Sequence, residues 1–146
     1  MAVEHPHHVI QRGNRRQRTF FCEADYFAYR ELMAEWFGKH GVEIWADCLM
    51  TNHVHLIAVP KQEDSLRLGI GEAHRRNTRR VNFGEASRGH LWQERFHSYP
   101  MDEYHLLAAA RYVEQNPVRA GIVSAPSKYP WSSAAQLTWP VRMAAW

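Results

Sequence analysis

Two histidines, followed later in the chain by a tyrosine and an asparagine, have the types and spacing for phosphodiester chemistry. His53 and His55 lie two residues apart in Asn52-His53-Val54-His55-Leu56-Ile57, a segment typical of a β-strand. Side chains at i and i+2 of a strand point to the same face, so both imidazoles can reach one metal ion. Tyr112 and Asn116 lie four residues apart, which is one turn of a helix. Together these residues predict metal-assisted cleavage of a phosphodiester, with the phenol as the nucleophile.

The chemistry needs an open metal site and an activated phenol. Asn116 shares a helical face with Tyr112, and its amide oxygen could supply a third ligand. A metal held by few protein groups keeps positions open for a phosphate oxygen. Because a phenol is protonated at neutral pH, attack on phosphorus needs a nearby cation or a base. The product would be a covalent phosphotyrosine that a DNA hydroxyl can reverse without ATP, and the chain has no GxxxxGK[ST] loop.

The size and composition indicate one globular domain. The chain has 146 residues, of which 45% are hydrophobic and 12% aromatic, enough for one core. No apolar run approaches the ~20 residues needed to cross a bilayer, and the first residues lack the layout of a signal peptide. We therefore expect no membrane association and a cytoplasmic location. Cys22 and Cys48 form no CxxC motif, which argues against a disulfide framework or a zinc knuckle.

The basic residues point to a nucleic-acid partner. The net charge is only +3, but 15 of the 18 basic residues are arginines, whose planar fork suits phosphate oxygens and base edges. Codon bias alone would raise the arginine content without grouping it. Two clusters are nevertheless present, and we interpret both as facing DNA, with a solvated charged surface as the alternative. The clusters are Arg12, Arg15, Arg16 and Arg18, and Arg75, Arg76, Arg79 and Arg80.

The hydrophobic periodicity predicts a β-α-β-β-α-β-α order. The predicted strands are residues 7–11, 42–50, 53–59 and 91–99, and the predicted helices are residues 23–40, 65 to about 82 and 103 to about 115. Two β-α-β halves around a central hairpin describe a ferredoxin-like α+β sandwich with an antiparallel sheet. The third helix, which carries Tyr112, is then free to lie across the sheet.

Finer expectations concern the strand faces and the N-terminal histidines. Alternation in the second strand predicts that Val42, Ile44, Ala46, Cys48 and Met50 share one face. We interpret His5, His7 and His8 as a solvated terminus, with His8 able to approach the site. Trp92, Trp131 and Trp139 are predicted core residues.

Five ordered blocks of sequence carry a family resemblance. They are residues 12–17, 48–56, 91–96, 111–121 and 129–133, from Arg-Gly-Asn-Arg-Arg-Gln to Tyr-Pro-Trp-Ser-Ser. In order and spacing they resemble the REP-associated tyrosine transposases, which are single-tyrosine HUH transposases of insertion sequences. Thr51 stands where the family commonly has proline. The resemblance implies one catalytic domain over residues 1–146, with a core of about residues 8–135 and a short C-terminal tail.

The resemblance also implies specific roles. His53 and His55 would be metal ligands, Asn116 would assist at the metal, and Tyr112 would form a 5′-phosphotyrosine. The cofactor would be Mg²⁺ or Mn²⁺, and the partner would be single-stranded DNA folded into REP-like palindromic hairpins. Two imidazoles suit Mn²⁺ better than Mg²⁺, which prefers oxygen ligands. The residues we predict to contact DNA are Arg12, Asn14, Arg15, Arg16, Arg75, Arg76, Arg79, Arg80, Arg95 and Arg119.

Two other functions remain open at this point. One is a non-catalytic or domesticated protein that binds DNA hairpins, and the other is a metal-dependent nuclease that uses water while Tyr112 is structural. The presence of His53, His55, Tyr112 and Asn116 together favours the enzyme, because a pure binder would not need all four. The sequence is compatible with both a monomer and a homodimer.

Overall fold

One antiparallel sheet organises the chain. The computed structural model describes residues 3–85, 89–93 and 95–135. Four strands pair in the order β2-β3-β1-β4, which is the strand order of a ferredoxin-like sandwich and confirms the predicted fold. The strands are β1 (His7–Arg12), β2 (Val42–Leu49), β3 (His53–Pro60) and β4 (His97–Pro100), and the α-helices are α1 (Glu23–Lys39), α2 (Ser65–Glu85), α3 (Glu103–Glu114) and α4 (Asn116–Arg119).

The two faces of the sheet carry two separate cores. On one face α1 and α2 pack on the sheet, and Tyr29, Met33 and Phe37 from α1 are buried there with Leu56 from β3. The four-residue spacing of these α1 residues forms one helical stripe. On the opposite face α3 packs on the sheet, and its Val113 lies in a smaller core with Ala46, Cys48 and Ile57. The helix with Tyr112 therefore covers the sheet face that displays His53 and His55.

A β-bulge changes the faces of β2. The register between β2 and β3 shifts between Ile44 and Ala46, so that Trp45 is an extra residue in the pairing. An extra residue inverts the alternation beyond it. Val42 and Ile44 consequently join the core under α1 and α2, whereas Ala46 and Cys48 face α3. Met50 lies in the same core as Ala46 and Cys48. The prediction that all five residues share one face is therefore wrong.

The fourth strand is shorter than predicted. Regular pairing with β1 begins at His97, and before it Trp92 makes only an isolated bridge with Gly13. The segment still follows the end of β1, because the Gln93 N–H donates to the Arg12 carbonyl at 2.9 Å. Trp92 is buried as predicted, while the predicted core residue Trp139 lies outside the described residues. No helix in the described parts of the chain has both the length and the apolar character needed to cross a bilayer.

Candidate active site

The pairing of β1 with β3 assembles the polar side chains. In this register Ile10 lies opposite His55 and Arg12 lies opposite His53, so all four side chains share the face under α3. The ring centroids of His53 and His55 are 5.0 Å apart. The strand alternation therefore brings the two imidazoles together, as predicted.

Each of these imidazoles has a hydrogen-bond partner at Nδ1. Nδ1 of His53 is 2.7 Å from Oδ1 of Asn52, and Nδ1 of His55 is 3.1 Å from Nε2 of His8. The Asn116 amide nitrogen lies 3.3 Å from Nε2 of His53, and a rotation of that amide would present its oxygen at the same place. Nε2 of His55 makes no hydrogen bond within residues 3–85, 89–93 and 95–135.

Burial keeps both imidazoles neutral. Loss of solvation lowers the pKa of His53 to about 4, with a further contribution from the nearby Arg12 charge. Loss of solvation likewise lowers the pKa of His55 to about 3, and the neighbouring His53 and His8 act in the same direction. A metal ligand must be the neutral imidazole. The protonation state at neutral pH therefore suits metal binding.

Helix α3 places Tyr112 beside the histidines. The helix begins at a side-chain cap, because the His105 N–H donates to Oδ1 of Asp102 at 3.0 Å. Ala110 and Val113 are buried against the sheet, which turns Tyr112 outward with 51% of its surface exposed. Its ring centroid lies 6.0 Å from that of His55. The phenol is thus next to the imidazoles and open to a ligand.

The chain bends between Tyr112 and Asn116. The sequence predicts one continuous turn, but α3 ends at Glu114 and Asn116 begins the separate helix α4. Pro117 at the next position has no N–H to continue the pattern of helical hydrogen bonds. Asn116 still reaches His53, so the bend preserves the predicted proximity.

Arg119 from α4 covers the phenol ring. Its guanidinium carbon lies 3.9 Å from the Tyr112 ring centroid, and its Nη2 donates to the Tyr112 carbonyl at 2.7 Å. A guanidinium in this position can orient the ring and bind a phosphate oxygen. Of the predicted DNA contacts, Arg119 is the one nearest to the candidate nucleophile.

The donor set fits a divalent ion of the softer kind. Among the described residues no three His, Cys, Asp or Glu side chains form a group that could hold a metal. The candidate donors are therefore Nε2 of His53, Nε2 of His55 and the amide of Asn116. Nitrogen donors with one amide oxygen suit Mn²⁺ better than Mg²⁺.

The remaining predicted DNA contacts differ in whether they are exposed to solvent or contact other side chains of the protein. Arg12, Arg15 and Arg16 are exposed at the end of β1, near His53, and the predicted contact Asn14 is partly exposed beside them. On α2, Arg80 forms an ion pair with Asp25 at 2.6 Å, and Arg76 lies over the Trp36 ring at 4.2 Å. These two arginines of the α2 cluster are thus engaged within the protein.

Arg75, Arg79 and Arg95 line a cavity of about 890 Å³, together with Trp92 and Phe96. Gln11 and Ser98 also line it, which places the cavity on the side of the sheet away from His53. Arg75 pairs with Glu72 at 2.7 Å, whereas Arg79 and Arg95 have no acidic partner within the described residues. The predicted DNA-binding residues therefore surround two separate places.

His8 and Asn52 are the site residues that sequence reasoning underestimated. The expectation of a solvated terminus is wrong for His7, which is 2% exposed, and His8 lies half-buried beside His55. His7 and His8 both belong to β1, and the ferredoxin-like order already places β1 next to β3. That strand neighbourhood was the available signal for His8.

Comparisons with known proteins identify a family and support the fold. A family model described as IS200-like transposase matches residues 2–116. The solved structure of a REP-associated tyrosine transposase bound to a REP hairpin is 21% identical, with a TM-score of 0.77, and covers 98% of this chain and 87% of that chain. A crystal structure from Deinococcus radiodurans R1, of a protein to which a transposase function is ascribed, is 17% identical, with a TM-score of 0.56, and covers 79% of this chain and 92% of that chain. At these identities both structures support the fold alone, and no curated protein sequence matches. Since the family model spans most of the chain, including His53, His55, Tyr112 and Asn116, this chain belongs to the family of IS200-like transposases.

Proposed function

We propose that this protein is a metal-dependent single-strand DNA endonuclease and strand transferase that acts on palindromic hairpins through a 5′-phosphotyrosine. One observation carries the proposal: an exposed phenol on α3 lies beside two neutral imidazoles on β3. The family assignment supports DNA transposition. The structural relative bound to a REP hairpin supports a hairpin as the form of DNA.

Tyr112 would carry out both transfer steps. In cleavage its hydroxyl oxygen attacks phosphorus and gives up its proton to solvent, to which the phenol is open. The bond from phosphorus to the 3′ oxygen breaks, so that the DNA 5′ of the cut leaves with a 3′-hydroxyl that takes its proton from solvent. The 5′ phosphate of the DNA 3′ of the cut stays attached to the tyrosine. In strand transfer a different 3′-hydroxyl attacks the same phosphorus, and the tyrosine oxygen leaves. One phosphodiester is replaced by another, so no external energy source is required.

The surrounding residues would hold the scissile phosphate. His53, His55 and Asn116 would bind a divalent ion, which when bound supplies Lewis-acid polarisation of the phosphate. Arg119 lies over the Tyr112 ring and would pair with a non-bridging oxygen. The exposed arginines near β1 would contact the DNA backbone on either side.

A covalent adduct tests this function. The full chain is incubated with Mn²⁺ and hairpin-bearing single strands taken from the flanks of its own gene, and the mixture is run on a denaturing gel. We expect an SDS-stable adduct that contains the DNA 3′ of the cut. Tyr112→Phe removes only the hydroxyl and should abolish both adduct and cleavage while hairpin affinity is retained.

A matched control uses the same helix. Tyr104 lies on α3 and is 87% exposed, so Tyr104→Phe should form the adduct as the wild type does. Cleavage that persists in Tyr112→Phe without any adduct would identify a water-using nuclease. Tight hairpin binding by the wild type with no cleavage in any divalent ion would identify a non-catalytic binding protein.

A further inference from the structure

The ring nitrogens of His53 and His55 are not equivalent in this site. In each ring Nδ1 already has a partner within the protein, namely Asn52 for His53 and His8 for His55. In each ring Nε2 is the nitrogen left for a ligand, and Nε2 of His53 faces Asn116. A neutral imidazole has one proton, and the hydrogen bond made by one nitrogen decides whether the other is a donor or an acceptor.

The orientation of Asn52 determines the tautomer of His53. The Asn52 amide nitrogen donates to the Arg16 carbonyl at 3.4 Å, which turns the amide oxygen toward His53. An amide oxygen only accepts, so Nδ1 of His53 must carry the proton and Nε2 must carry the lone pair. The backbone holds Asn52 in place, because the Gly13 N–H donates to the Asn52 carbonyl at 2.8 Å. A Cβ at Gly13 would collide with the Gln17 carbonyl, so this close approach requires glycine.

His8 occupies the corresponding position for His55. It lies on β1 opposite Ile57, and its ring centroid is 5.3 Å from that of His55. If His55 donates from Nδ1 to Nε2 of His8, then Nε2 of His55 has a free lone pair. If the proton instead sits on Nε2 of His8, the N–H of His55 points into the site, where it would repel a cation.

We propose that Asn52 and His8 are positioning residues that hold His53 and His55 as Nδ1–H tautomers, so that both Nε2 lone pairs converge on one divalent ion. The metal role of the two imidazoles rests on the function proposed above. The tautomers themselves are a property of the metal-free protein. Outer partners of this kind typically change metal affinity by about 10- to 100-fold.

The tautomers can be measured directly. In the full-length, metal-free protein labelled with ¹⁵N in the histidine rings, a long-range ¹H–¹⁵N correlation at neutral pH distinguishes the protonated nitrogen from the unprotonated one. We expect Nδ1–H and an unprotonated Nε2 for both His53 and His55. A proton on Nε2 of either ring overturns the assignment for that residue, and this measurement needs no variant to fold.

Paired variants separate the hydrogen bond from simple packing. His8→Phe keeps an aromatic ring but removes the acceptor, whereas His8→Gln places an amide oxygen near the position of Nε2. Titration of Mn²⁺, followed by calorimetry or by its electron paramagnetic resonance signal, should show affinity about 10- to 100-fold weaker for His8→Phe and nearly wild-type for His8→Gln. Equal affinity in His8→Phe and wild type overturns the role of His8.

Asn52 is tested in the same way. Asn52→Ala removes the acceptor and should release the His53 tautomer, while Asn52→Asp retains an oxygen acceptor. The added charge of the aspartate would itself attract a cation, so metal affinity cannot be compared between these two variants. The ring ¹⁵N pattern of His53 is therefore the measurement that distinguishes Asn52→Ala from Asn52→Asp. A His53 pattern in Asn52→Ala identical to the wild type overturns the role of Asn52.

The two proposals fail in different ways. If wild-type protein shows the expected tautomers but neither binds Mn²⁺ nor cleaves DNA, the proposed function fails and the tautomer assignment stands. If wild-type protein cleaves through Tyr112 while His53 or His55 is protonated at Nε2, the proposed function stands and this inference fails.

Discussion

A histidine–tyrosine pair lies on each side of the sheet, and the two pairs differ in their exposure to solvent. Under α1 and α2, the Tyr29 hydroxyl is 2.8 Å from Nε2 of His74, and Tyr29 is fully buried. Under α3, the rings of Tyr112 and His55 are 6.0 Å apart, and half of the Tyr112 surface is exposed. The Tyr29 hydroxyl and Nε2 of His74 bond to each other, whereas the Tyr112 hydroxyl and Nε2 of His55 have no hydrogen-bond partner among the described residues.

The comparison shows that a perturbed pKa does not by itself identify a functional histidine. Burial lowers the pKa of His74 to about 3, and it lowers the pKa of His55 to about 3 as well. Loss of solvation acts in the same way on a core residue and on a ligand. What separates the two pairs is the exposure of the tyrosine, which is 0% for Tyr29 and 51% for Tyr112.

The largest effect is expected when the candidate metal ligands are replaced. His53→Ala and His55→Ala should each reduce cleavage by at least about 100-fold, because the site loses a donor. Hairpin affinity should change little, since phosphate contacts dominate it. Gel-based cleavage and binding assays measure both quantities. His74→Gln, which keeps a polar atom near Tyr29, is the matched control and should cleave normally; equal cleavage by His53→Ala and wild type contradicts the ligand assignment.

The second prediction is that acid lowers the stability of the folded protein. His53, His55 and His74 are neutral in the fold, and burial holds their folded pKa below the ordinary value of 6.5. The unfolded chain therefore binds more protons below about pH 6.5, and the free energy of unfolding should fall as the pH decreases from 6.5 toward 4. We expect a loss of about 2 kcal/mol for each of these three histidines between pH 7 and pH 5, measured by urea unfolding.

His74→Gln sharpens this prediction, because it removes one of the buried imidazoles without opening the core. Its unfolding free energy should depend less steeply on pH than that of the wild type. An unchanged slope would show that His74 does not take up a proton on unfolding in this range.

The third prediction compares the loss of the hydroxyl from Tyr29 with its loss from Tyr112. Tyr29→Phe deletes a buried hydroxyl and leaves His74 without its partner, so the free energy of unfolding should fall by about 1–2 kcal/mol. Tyr112→Phe loses no hydrogen bond of this kind and should unfold at the same denaturant concentration as the wild type. Denaturant titration of both variants is the measurement. A larger loss of stability in Tyr112→Phe than in Tyr29→Phe would reverse the assigned roles.

The smallest expected effect concerns two adjacent arginines on α2. Arg79 has no acidic partner among the described residues, whereas Arg80 pairs with Asp25. Arg79→Ala should weaken hairpin binding by about fivefold and make its salt dependence shallower. Arg80→Ala should leave affinity nearly unchanged and lower the free energy of unfolding by about 1 kcal/mol. Gel-shift titrations at two salt concentrations decide the matter, and a stronger effect of Arg80→Ala on binding contradicts the division.

Local periodicity determined much of this protein. Alternation along a strand placed His53 and His55 on one face. The four-residue spacing of Tyr112 and Asn116 indicated that both lie near this pair, and each contacts one of the two histidines. The order of strands and helices was sufficient for the ferredoxin-like sandwich, because few topologies join these elements through short connections. These features depend on residues a few positions apart, so the local sequence contains the information that specifies them.

Only the tertiary structure decided which polar groups are satisfied. The bulge at Trp45, the contact of His8 with His55 and the pairing of Arg80 with Asp25 each depend on residues far apart in the chain. No local pattern specifies the register of β1 against β3 or the partner of one arginine among four. A hydrogen bond requires a donor–acceptor distance within a fraction of an ångström of its optimum. The packing of the sheet and helices therefore decides which imidazole nitrogen is used internally and which remains free for a ligand.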